Sequence, residues 1–354
     1  MTLGHAQCWV LLGHFEGQRV WYTRASMSVS RSVRLAQMLG LYDVEAVHGS
    51  FALAPTDKWQ EKEERRRTMW AIFCIDRLTS STTGWHPLVN VTQIKTLLPA
   101  SEEAFQRGEA EPSLTLHAAL GDASARLSPF ACRVLAAHLF QACLEHTFTG
   151  HPDNDTDDAG EEFWTRQQSL DNRLAVLFMA LPDALRCPEH LARYDAVFVN
   201  LTLHTASISI QRAGLARTKG GGSAALGAAQ SLEAADVRLL TSARAIFGIV
   251  NGLSDPRLLF ANPFVGFAAY VAALVFLDDF ATRHRGQSEE CLSGLMDIMV
   301  GMANENLATA SLALQLAGHL KKSGIDPSAL EKVSLMDWVV ITSETCMVSD
   351  YIAS

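Results

Sequence analysis

EERRRTMWAIFCIDR, residues 63–77, sets three consecutive arginines directly before an apolar run. At helical spacing Trp70, Phe73 and Arg77 share one face and Met69, Ile72 and Asp76 another. A helix here is therefore apolar over most of its circumference and has to be buried. Arginines at a buried helix end need carboxylates. Glu61 stands four before Arg65 and Glu63 four before Arg67, the favourable order for helical ion pairs, and EKEERRR sums to only +1. Asp76 lies ten residues beyond Arg66, about 15 Å along a helix axis, so it cannot serve that arginine. Further buried partners must come from other helices. The arginines read as architecture, not as a DNA contact.

Outward from this stretch the pattern stays helical. In RSVRLAQMLGL, Leu35, Met38 and Leu39 stand at i, i+3 and i+4, and Gly40 supplies a left-handed stop. Pro55 and Asp57 precede the arginine helix, with Gln60 three after Asp57 as a capping box. Glu61, Glu63 and Glu64 then suit the positive end of its dipole. FVGFAAYVAALVFL, residues 264–277, is 14 residues long against about 20 for a bilayer span, and reads as a buried helix. VVITSETCMV near the C-terminus is the one run with strand character. The fold class expected is all-α. Polar stretches at 101–112, 149–162 and 213–227 read as loops, and no repeat of solenoid spacing is found.

Composition narrows function by exclusion. The chain has 354 residues, 48% hydrophobic and 19% charged, as a packed globular protein does, and a net charge of -9 that opposes any broad nucleic-acid surface. Seven cysteines, at 8, 74, 132, 143, 187, 291 and 346, form neither a disulfide framework nor a C-x-x-C pair, which suits a reducing compartment. The N-terminus carries no signal peptide pattern. From Asp153 a calcium-loop spacing begins, but Asp158 stands where glycine is needed and Trp164 where glutamate is needed. Lys219 to Ser223 lacks the P-loop order, His146 and His151 do not form a zinc motif, and no serine-hydrolase elbow or dinucleotide fingerprint occurs. No catalytic, cofactor-binding or metal-binding residues are expected, and no enzyme.

Several motifs together resemble one family, the fungal-specific transcription factor domain, or middle homology region, of fungal zinc-cluster regulators. Leu35, Ala36, Leu39, Gly40 and Leu41 match its LA-x-x-LGL helix end. Glu64, Arg66, Arg67, Trp70, Phe73, Asp76 and Arg77 match its E-x-RR-x-x-W-x-x-F-x-x-D-R signature. Gly84 to Pro87 (GWHP) stands in place of a G-R-P turn, and Leu97 to Pro99, LFMALPDAL at 177–185, Gln211 with Arg212, and the helix after Asn262 are similar to later family segments. The resemblance runs over most of residues 8–320, with 321–354 left as a docked or activating tail.

That resemblance implies a helical regulatory domain of a nuclear transcription factor controlling RNA polymerase II transcription. Its partners would be transcription machinery or co-regulators, a homodimer remains open, and no membrane is involved. DNA would be reached only through the family's N-terminal zinc cluster, whose six paired cysteines this chain does not contain; zinc belongs to that module alone. Cys8 to Arg34 already reads as a middle-domain helix, so the expectation is a cluster lying upstream or lost. The alternative is a helical regulator that senses a small-molecule effector and acts through protein partners without DNA.

Overall fold

A helix that is apolar on every side has to be surrounded, and the chain builds its architecture around two of them. The computed structural model describes residues 1–46, 53–122, 124, 126–149, 157–220, 226–254, 263–303 and 306–323. Among these there are twelve α-helices and no strand. α1 (Leu3–Gln18) and α2 (Tyr22–Met38) form a hairpin that packs on α3 (Trp59–Thr83), the arginine helix. α4 (Glu102–Arg107) and α5 (Leu116–Gly121) are short. α6 (Pro129–Thr149) lies between α3 and α8 (Tyr194–Gly220), with α7 (Asp157–Ala180) against both α6 and α8.

α9 (Leu226–Asn251) follows, and then α10 (Pro263–Arg283), the second all-apolar helix. α10 packs against α8, α9, α11 (Gly286–Ala303) and α12 (Leu307–Lys322). Every residue from Phe264 to Leu277 is buried. Although Phe264–Arg283 is long and apolar enough to cross a bilayer, 83% of its most apolar window is covered by protein. One hydrophobic cluster joins Trp70 and Phe73 of α3 to Phe140 of α6 and to Phe267, Tyr270 and Phe276 of α10.

Gly40 follows the last turn of α2 at φ 73° and Gly84 ends α3 at φ 75°, the left-handed positions where glycine costs least. Gly266 meets a different need: a Cβ there would collide with Thr309 Oγ1 of α12, so the two helices touch only because the side chain is missing. Gly266→Ala is expected to destabilise by about 1–3 kcal/mol through overpacking. Gly248→Ala in α9, where a Cβ meets nothing within 4 Å, is expected to stabilise by up to about 1 kcal/mol. Opposite shifts in urea midpoint check the pair.

Several sequence expectations need correction. α3 starts at Trp59 with Lys58 as N-cap and no side-chain cap. Gln60 is not in a capping box because its amide donates to the Phe105 carbonyl (3.0 Å). Residues 101–112 are not all loop: Ser101 caps α4 by accepting from Ala104 N–H (3.2 Å), with Glu102 and Glu103 in its first turn and Arg107 in its last. α8 runs through 213–220 since Ala213, three after Ile210, continues its buried face, and α9 begins at Leu226. The expected loop at 149–162 is shorter than read, since α6 reaches Thr149 and α7 begins at Asp157. His151, residues 153–156 of that loop, and the tail from residue 324, with its strand-like run, lie outside the described residues.

Candidate functional site

The signature residues converge on one feature, the buried connection between α3 and α4. Residues 96 and 98–100 are buried without lying in a helix, so their backbone groups have no helical partners and must be satisfied otherwise. α3 supplies much of what they need. Trp70 Nε1 donates to the Leu97 carbonyl (2.7 Å), and Arg67 Nη2 donates to the carbonyls of Ala100 (3.3 Å) and Ser101 (3.1 Å). The Ala100 N–H donates to Glu63 Oε1 (2.9 Å). Further along, Leu88 and Val89 N–H each donate to an Asp76 oxygen at 3.0 Å, and Arg77 Nη2 donates to the Val89 carbonyl (2.5 Å).

The arginines are held by carboxylates from three places. Arg66 Nε donates to Glu45 Oε1 (2.6 Å) and its Nη1 to Glu63 Oε2 (3.3 Å). Arg67 Nε donates to the other Glu63 oxygen (3.1 Å) and its Nη1 to Glu102 Oε2 (2.5 Å). Its guanidinium also lies 4.2 Å from the Phe105 ring centre. Glu45 closes the circuit by accepting from Leu97 N–H (3.3 Å). Thr96 ties the same stretch to the end of α2, donating to the Leu41 carbonyl (2.7 Å) and accepting from Val44 N–H (3.0 Å).

Burial is the largest influence on Glu63 and Asp76 and pushes both carboxyls up; the Ala100 N–H with Arg67 and Arg66, and the Leu88 and Val89 N–H groups with Arg77, pull them back. Burial lowers Arg77. The half-exposed Glu102 is held down by its hydrogen bond from Arg67. These charges are therefore engaged with one another and with the backbone, and the cluster's physical work is to clamp the 88–102 connection along α3.

Of the residues the sequence singled out, Arg66, Arg67, Trp70, Phe73, Asp76 and Arg77 lie in or against this clamp, Phe73 meeting Trp70 edge-on at 5.3 Å and the Arg77 guanidinium at 4.6 Å. Glu64 does not. It is exposed and accepts from Gln7 of α1 (3.0 Å), while the fully buried carboxylate is its neighbour Glu63. The Glu61–Arg65 pair is not formed either: Glu61 takes Lys58 (2.9 Å) and Thr56 (2.7 Å), and Arg65 donates to the Ala54 carbonyl (2.9 Å). Glu45 and Glu102 carried no sequence signal, because they arrive through folding. Gln211 and Arg212 serve α8, donating to Asp171 (3.1 Å) and Asp278 (2.5 Å).

A zinc cluster needs paired, readily ionised thiols. Cys132 and Cys143, the closest pair in sequence, are buried in α6, and burial pushes both thiols up, Cys132 to about 12. They do not fit zinc. Among the described residues no group of three or more metal-ligating side chains comes together.

Fold and clamp define an all-helical domain whose charged signature is directed inward, onto its own backbone. Residues 1–128, which hold α1 to α5 and the whole clamp, match the family of the fungal specific transcription factor domain. A pigment biosynthesis transcriptional activator of Monascus ruber is 24% identical over 88% of this chain and 56% of its own length. The sorbicillinoid biosynthetic cluster transcription factor 1 of Penicillium rubens is 28% identical over 60% of the chain and 39% of its own length. An azaphilone cluster-specific transcription factor of Aspergillus niger is 33% identical over 50% and 40%. The family and these relatives are transcription factors, not enzymes. The matches span between 39% and 56% of these three relatives, and no solved structure matches the chain.

Proposed function

We propose that this chain is the regulatory domain of a fungal pathway-specific transcription factor, acting in the nucleus on RNA polymerase II transcription of a biosynthetic gene cluster. The family match over residues 1–128 carries this reading, and the named activities of the relatives supply its finer part. The inward aim of Arg66, Arg67 and Arg77 and the net charge of -9 support a role in which the domain does not itself grip DNA. DNA contact then falls to a zinc cluster, which the cysteines of this chain do not form. Two cavities among the described residues, about 230 and 170 Å³, are smaller than the roughly 300–1,000 Å³ of ligand pockets and lend a small-molecule sensor no support.

The reading predicts that the purified chain gives no sequence-specific DNA shift at physiological salt. Fused whole to a heterologous DNA-binding domain in a fungal host, it is expected to change reporter transcription at least threefold. A specific shift by the chain alone, or an unmoved reporter, would overturn the proposal.

A further inference from the structure

The outer face of the α1–α2 hairpin has the composition of an interface. On α1, Cys8, Leu11, Leu12 and Phe15 recur at helical spacing and are all exposed, Leu11 by 69%. On α2, Arg24, Met27, Arg31, Arg34 and Met38 fall at i, i+3, i+7, i+10 and i+14, and every one is exposed. The arginines spread over aromatic rings, Arg31 at 4.4 Å from Trp9 and Arg24 at 4.8 Å from Trp21, which joins the two stripes into one surface. Arginine, methionine and aromatics are enriched and acids depleted, as at the core of protein interfaces.

The charge of this face names its occupant. Residues 1–38 contain four arginines and one carboxylate, Glu16, giving 4 − 1 = +3 in a chain of net -9. Glu16 is itself buried, accepting from Ser28 (2.6 Å) and pairing with Arg24 (3.2 Å). A second copy of the same face would bring like charge against like. Residues 324–354, which follow α12, are the opposite: five acids (Asp326, Glu331, Asp337, Glu344 and Asp350) against one lysine, giving −5 + 1 = −4, among Trp338, Val339, Val340, Ile341 and Met347. Reach is no obstacle, since 31 residues can extend to roughly 100 Å, about twice the width expected of a compact chain of this length.

We propose that residues 324–354 dock on the outer face of the α1–α2 hairpin of the same chain, apolar side chains on the α1 stripe and carboxylates on the α2 arginines.

Backbone hydrogen exchange on the full chain tests this. Amides of residues 333–351 are expected to exchange at least about 10-fold more slowly than in a free peptide of that sequence. The full-chain double variant Arg31→Glu/Arg34→Glu, and separately Leu11→Asp, are expected to erase that protection while α6 and α8 keep theirs. Adding Asp337→Lys and Glu344→Lys to the double arginine variant is expected to restore it. Tail exchange equal to that of the free peptide, protection indifferent to all these variants, or protection lost on dilution, as docking onto a second copy would give, each overturns the proposal.

Discussion

Glu63→Ala is expected to lower stability by about 3–5 kcal/mol, while Glu64→Ala, one residue along, changes it by less than about 1 kcal/mol. Glu63 has no exposed surface and serves three donors: Arg66, Arg67 and the Ala100 N–H. Removing its carboxylate leaves the amide without an acceptor and strips each guanidinium of one of its anions. Arg66 keeps Glu45 and Arg67 keeps Glu102, which holds the loss toward the lower end of that range. Arg66→Ala and Arg67→Ala are expected near 3 kcal/mol, roughly the cost of stranding Glu63 in turn. Glu64 sits in water with a single amide partner, where an exposed polar contact contributes little. Urea midpoints at unchanged slope read the difference directly. Equal losses from Glu63→Ala and Glu64→Ala would show that the clamp does not depend on the buried carboxylate.

That pair of residues also shows where sequence reading stops. The burial of α3 and α10 was legible because both are apolar around the whole helix, and a helix without a wet face has nowhere else to go. Gly40 was legible as a stop because the left-handed turn favours glycine. The motif spacing put Glu64 in the signature, yet helical geometry gives the paired role to Glu63, three before Arg66 and four before Arg67. Glu45 and Glu102 were not legible at all: they are brought to Arg66 and Arg67 from 21 and 35 residues away by chain reversals that no local pattern encodes. The expected loop at 213–227 failed over 213–220 for a related reason. Its glycines and threonine looked polar in isolation, while Ala213, three after Ile210, kept α8's buried face going.

Acid is expected to unfold the protein well before its carboxylates alone would require it. His138 in α6 and His204 in α8 each bury Nδ1 without a hydrogen-bond partner, and burial, joined at His138 by the nearby Arg77 and Arg173, depresses both imidazoles from 6.5 to about 4. His138 lies against Phe73 and His204 against Phe178, with ring centres 6.3 and 5.0 Å apart, so each ring is only partly open to water. Unfolded, each binds a proton from pH 6.5 downward; folded, each stays neutral until about 4. The stability they protect is thus complete above 6.5 and falls as pH drops toward 4, by about 1.4 kcal/mol per histidine per pH unit. Two such groups give a slope near 2.7 kcal/mol per unit and a loss of about 7 kcal/mol over the window, comparable with the whole stability of many domains. His146, lowered chiefly by burial, steepens it. Glu63 and Asp76 act in the other direction, because carboxyls raised by burial take up protons first in the folded state and offset part of the loss. His204→Leu removes one titrating site without leaving a charge behind, and is expected to lower the slope between pH 6.5 and 4 by about 1.4 kcal/mol per unit. Urea titrations at half-unit pH steps measure that slope, and an unchanged value in the variant would mean that His204 is already protonated inside the fold.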